Sequence, residues 1–126
     1  MLRGDFYEIT HLSHNQDGSM LAGIEINKGH EIFNGHFPGF PVVPGVCMIQ
    51  IIKEVAAEIT GLKLILSKGD NIKFLRLINP DLDPSLMIRI QHKEQNDGLI
   101  KTEARIYNQE YTFLKFKGQF SIDHTH

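Results

Sequence analysis

One stretch limits the fold more than any other. From Gly45 to Thr60 the apolar residues Val46, Ile49, Ile52, Val55, Ala56 and Ile59 fall three and four apart, and Gly61 follows as a stop. Met48 and Ile51 widen the apolar arc, leaving Gln50, Glu54 and Glu58, four apart, as a narrow polar stripe. A helix this apolar has to be covered on most of its sides. No other segment shows a helical period, so the cover has to come from strands.

About six segments read as those strands. Residues 5–13 and 19–28 flank the turn signal Asn15-Gln16-Asp17-Gly18 and form a hairpin. After the helix, an apolar run at 62–66 has no clear role, and 70–78 reads as a strand stopped by Asn79-Pro80. Residues 85–94 and 99–107 flank the hairpin turn Asn96-Asp97-Gly98, and 110–122 follows a turn at Asn108-Gln109. The expected architecture is α+β: one domain over 1–126, with an antiparallel sheet wrapped around one central helix. Such a sheet leaves an edge strand that a second copy can cover.

Composition narrows the function. The formal charge is −2, from 13 basic and 15 acidic residues, which gives no argument for nucleic acid. No apolar run approaches a membrane span, no apolar leader follows Met1, and Cys47 is the one cysteine. The expectation is a cytoplasmic protein with no metal and no cofactor.

Residues 29–44 are the exception to regular structure. Pro38, Pro41 and Pro44 recur every third position and stiffen an extended loop that runs into the helix start. A loop of this length in a compact domain is usually functional. It brings His36 towards the free N–H groups of a helix N-terminus.

The segment His36-Phe37-Pro38-Gly39-Phe40-Pro41-Val42-Val43-Pro44-Gly45-Val46 resembles the signature loop of the hot-dog-fold 3-hydroxyacyl-acyl-carrier-protein dehydratases. Ile72-Lys73-Phe74-Leu75-Arg76 and Asn79-Pro80 through Leu86 extend the likeness over nearly the whole chain, although the family's Pro-Gly-Asp turn is degraded here to Asp83-Pro84-Ser85. The resemblance implies a hot-dog fold, dimers or larger assemblies, and an acyl thioester substrate carried by acyl carrier protein or coenzyme A. It implies that His36 is the catalytic base and that N–H groups of Gly45 or Val46 hold the thioester oxygen. It also implies an acidic residue on the partner subunit's helix, fourteen positions after the histidine. That position is Gln50, an amide that neither takes nor gives a proton near neutral pH.

Three routes around Gln50 remain open. His36 makes both proton transfers while Gln50 orients the hydroxyl, or Glu54, about 5.4 Å further along the stripe, replaces the acid. In the third, the chain no longer dehydrates and instead binds an acyl chain or carrier protein, or pairs with an active homologue. A hot-dog thioesterase is a further alternative. Phe37, Phe40, Val42, Val43, Met48 and Phe74 are candidates to line an acyl tunnel, and Lys63, Lys68, Lys73 and Arg76 to meet an acidic carrier. His11, His14, His30, His92, His124 and His126 lack such a context and read as surface or packing residues. Cys47 reads as a buried filler despite its place near the helix start, and Glu58 as a solvated residue.

Overall fold

The structure is a computed structural model, and it describes residues 1–35, 39, 41–94 and 97–124. Six strands and a long helix follow the order β1 (Tyr7–His14), β2 (Met20–Ile26), α1 (Ile32–Gly35), α2 (Gly45–Thr60), β3 (Leu64–Phe74), β4 (Ser85–Glu94), β5 (Leu99–Tyr107) and β6 (Thr112–Ile122). The strands form one antiparallel sheet in the spatial order β1-β2-β4-β5-β6-β3.

This order explains the helix. The chain leaves the sheet at β2, one place from one edge, and re-enters at β3 on the opposite edge. α2 is the crossing. Its Ile51, Ile52 and Val55 are buried in one core cluster with Ile24, Ile88, Ile90, Ile106, Phe116 and Phe120 from the strands. Full burial of each such side chain stabilises by about 1.5–3 kcal/mol. At 16 residues, α2 is not long and apolar enough to cross a membrane.

The turn after β1 follows the sequence closely. Gly18 adopts φ 86°, and the Asp17 carboxylate accepts from Ser19 N at 2.9 Å and from Ser19 Oγ at 2.6 Å. These bonds, with Arg89 Nη2 at 2.6 Å, hold the Asp17 pKa down to about 2.

Two expectations need correction. The strand read over 70–78 spans Leu64–Phe74 and takes in most of the 62–66 run. Irregularities in its pairing with β6, between Leu66 and Lys68 and between Gly69 and Asn71, interrupt the alternation that would have marked one continuous strand. Residues 29–44 are also not wholly irregular, because Ile32–Gly35 form one helical turn. His30 holds that turn: Nδ1 accepts from Ile32 N at 3.1 Å, and Nε2, 3.0 Å from Asp5 Oδ2, is then the protonated nitrogen.

Candidate active site

The start of α2 is built to leave donors free. Pro44 occupies the N-cap with φ −60° and ψ 144°, and as a proline it has no side-chain acceptor to offer. Its carbonyl accepts from Cys47 N at 3.0 Å and Met48 N at 3.2 Å. The N–H groups of Gly45 and Val46 have no partner among the described residues. Val46 is 79% exposed, so this end of the helix opens to solvent.

Beside those donors lies an apolar cleft of about 360 Å³ lined by Val43, Gly45, Met48, Phe74, Leu75, Arg76 and Leu77. The Val43 N–H is tied to Ile78 O at 2.9 Å, which fixes the end of the loop against the segment after β3. The Phe74 ring lies so close to Gly45 that a β-carbon there would sit 3.0 Å from it. Arg76 does not face the cleft as a free cation, since its guanidinium stacks 3.6 Å above the Tyr111 ring. Val43, Met48 and Phe74 therefore line one cleft with Gly45, whereas Val42 is half-buried outside it. His36, Phe37 and Phe40 lie outside the described residues. Leu75 and Leu77, exposed at the cleft rim, were hidden by reading 70–78 as strand interior.

Gln50 faces elsewhere. It lines a second cleft of about 700 Å³, with Met1, Arg3, Lys53, Glu54 and Glu58 among its walls. One chain thus does not bring Gln50 together with the Gly45 and Val46 donors. Gln50 Nε2 donates to Glu54 Oε2 at 2.6 Å. A carboxylate accepts only from the amide nitrogen, so the orientation of the Gln50 amide follows from chemistry and its Oε1 points away from Glu54.

Glu54 is 8% exposed and collects three further donors. Leu2 N donates to Oε2 at 2.8 Å, while Arg3 N at 2.9 Å and Tyr7 Oη at 3.1 Å donate to Oε1. Burial pushes the Glu54 carboxyl up, but the bonds from Leu2, Gln50, Arg3 and Tyr7 together outweigh it and hold the pKa below the ordinary value. Burial, and then the Glu54 charge, push the Tyr7 hydroxyl far up, so it stays a donor. Glu58 is exposed and pairs with Arg3 Nη1 at 2.8 Å. Cys47 is buried, and that burial raises its thiol pKa, as suits a filler.

Among the described residues, a single long helix crossing an antiparallel six-stranded sheet defines the class: an α+β hot-dog fold. Residues 12–113 match the family model described as ApeI-like, ApeI dehydratase, and the chain belongs to that family. Among curated relatives, the 3-hydroxyacyl-acyl-carrier-protein dehydratase FabZ of Lactobacillus helveticus is 28% identical over 112 residues, covering 79% of this chain and 76% of the relative. FabZ of Halalkalibacterium halodurans is 31% identical over 86 residues, 62% of this chain and 61% of the relative. Among solved structures, the dehydratase heterocomplex ApeI:P from Xenorhabdus doucetiae superposes with a TM-score of 0.70 at 19% identity, covering 90% of this chain and 96% of that one. The BH2602 protein from Bacillus halodurans, solved with coenzyme A, gives a TM-score of 0.63 at 16% identity over 92% and 75% of the two chains. These likenesses support a dehydratase enzyme.

Proposed function

We propose that the chain removes water from a 3-hydroxyacyl thioester, carried by acyl carrier protein or coenzyme A, to give the 2-enoyl thioester. The active site is shared between two copies. The observation that carries this reading is the pair of N–H groups at Gly45 and Val46, without a partner among the described residues, beside an apolar cleft of about 360 Å³. Loss of the C2 proton drives charge onto the thioester oxygen, and preorganised N–H groups with a helix dipole behind them stabilise it there. Val43, Met48 and Phe74 receive the acyl chain.

His36 takes the C2 proton, the electron pair forms the C2–C3 double bond, and the C3–O bond breaks. The same proton passes from His36 to the departing hydroxyl, so water leaves and the imidazole is neutral again. The partner subunit's Gln50 accepts a hydrogen bond from that hydroxyl through Oε1. An oxygen gaining a second proton becomes a better donor, so this contact strengthens towards the transition state. Glu54 is a positioning residue here: an anion whose oxygens are already bonded is a poor acid, and its bond to Nε2 presents the Gln50 oxygen. The separation of Gln50 from the Gly45 donors within one chain supports a site completed by a second copy. Exposed apolar residues at the β3 edge and beyond, Ile65, Leu66, Leu75 and Leu77, supply a surface for it.

The test is turnover of a 3-hydroxyacyl carrier substrate by the chain alone. The expected product is the enoyl thioester. Release of free acid would instead identify a thioesterase. Acyl binding with no turnover, even at high enzyme, would identify a non-catalytic subunit.

A further inference from the structure

The face of the sheet turned away from α2 takes no part in the chemistry above. Strands β3, β4, β5 and β6 hold eight of the chain's 13 Lys and Arg residues and only three of its 15 acids. Register sets four of the cations in one row across the strands: Lys73 opposite Lys115, Lys115 opposite Arg105, and Arg105 opposite Arg89. Arg89 is held by Asp17 at 2.6 Å. Lys73, Lys115 and Arg105 are exposed and have no acidic partner among the described residues. The neighbouring row, Asn71, Lys117, Glu103 and Gln91, is balanced by the pair Lys117–Glu103 at 3.5 Å. Residues of both rows line a shallow depression of about 220 Å³.

Like charges placed directly opposite destabilise a sheet. Lysines on an edge strand guard against edge pairing, which accounts for Lys73 on β3. That account does not reach Lys115 on β6 or Arg105 on β5, which have paired strands on both sides. We infer that this row is a docking surface for an acidic helix of a partner protein, lying across the strands. Neighbouring strands are about 4.8 Å apart and one helical turn is about 5.4 Å, so glutamates at i, i+4 and i+7 meet successive cations. The fit is one row wide. Glu103 in the next row, and a chain whose formal charge is −2 despite this face, disfavour a continuous phosphate backbone or an anionic lipid surface. The depression shares no lining residue with the apolar cleft, so the partner is recruited at a surface separate from it.

The experiment uses the full chain and four labelled probes: an Ala/Glu helical peptide with glutamates on one stripe, a scrambled peptide of the same composition, an oligothymidylate, and phosphatidylglycerol vesicles. Anisotropy at about 50 and 300 mM NaCl reads binding and its screening. The expected result is salt-sensitive binding of the striped peptide, about tenfold tighter than the scrambled one. K115E and R105E each weaken it about tenfold, while K28E, in the exposed turn after β2, leaves it unchanged. K115E melts no lower than the parent, because it relieves repulsion from Lys73 and Arg105, so a loss of binding is not a loss of fold. Equal binding of both peptides, tighter binding of the oligonucleotide or the vesicles, or undiminished binding by K115E would overturn the inference.

Discussion

The two ends of α2 are finished in opposite ways. At the start, Pro44 supplies no side-chain cap, and the N–H groups of Gly45 and Val46 have no partner among the described residues beside an apolar cleft. At the end, Gly61 takes φ 70° and its N–H closes on Ala57 O at 2.9 Å, while Thr60 Oγ1 donates to Ala56 O at 2.9 Å. Between them, Glu54 binds the N-terminal segment through Leu2, Arg3 and Tyr7, and with Gln50 four donors converge on one carboxylate. Bonded groups hold the helix in place, and unbonded ones remain available to a ligand. Under the proposed function, the difference puts the thioester oxygen at the start of the helix and the scaffold beyond its middle.

The largest test of that contrast removes a free donor. Gly45 occupies the first helical position and Pro44 is already extended, so a proline is tolerated there by the backbone. Gly45→Pro, combined with Phe74→Leu to clear the ring, should lower kcat by about 10²–10³-fold. Unchanged far-UV circular dichroism would show that the helix survives. Full activity in this variant would show that the Gly45 N–H is not used.

At the bonded end the expected loss is of stability. Glu54→Ala strands the Leu2 and Arg3 amides, the Tyr7 hydroxyl and the Gln50 amide, and should cost about 3 kcal/mol in urea unfolding. The pH dependence has a definite sign. The folded pKa of Glu54 lies below its ordinary value of 4.5, so its contribution is present above that value and is lost as pH falls through the lower, folded one. Glu54→Gln should flatten the acid side of a melting-temperature profile below about pH 4.5, where the parent loses this contribution.

Gln50→Glu joins the two regions. It sets two carboxyls where an amide now lies 2.6 Å from Glu54, and the pair then shares a proton near neutral pH. The introduced carboxyl gains a raised pKa and can act as an acid. Turnover should rise about tenfold or more, at a modest loss of stability. A fall in turnover would count against His36 carrying both proton transfers. Smallest of all, Gly61→Ala places a β-carbon at φ 70° and should cost about 1 kcal/mol, lowering the melting temperature with kcat unchanged.

The helix was legible because its period is local: each apolar residue from Val46 to Ile59 announces its face through neighbours three and four away. The hairpin at Asn15–Gly18 was legible for the same reason, as a short run of turn-forming residues. The edges of β3 were not, since two irregularities in its pairing break the alternation and most of its side chains are exposed. Gln50 was marked out by the family resemblance, at the position fourteen after His36, and Glu54 by its place on the same stripe. That Glu54 is buried under the first residues of the chain has no local signature, because its partners Leu2, Arg3 and Tyr7 lie about fifty positions away.

By itself the sequence determined a long apolar helix set among strands, and an amide where the resembled family carries an acid. Those features depend on residue type and short spacing. Only the tertiary structure decided that β3 takes the far edge of the sheet, that Gln50 and Gly45 open into different clefts, and that Glu54 is clamped. It alone aligned Lys73, Lys115 and Arg105 in one row. Strand register and the docking of a terminus are chosen by burial and hydrogen bonding between distant segments, and no window of neighbouring residues contains that information.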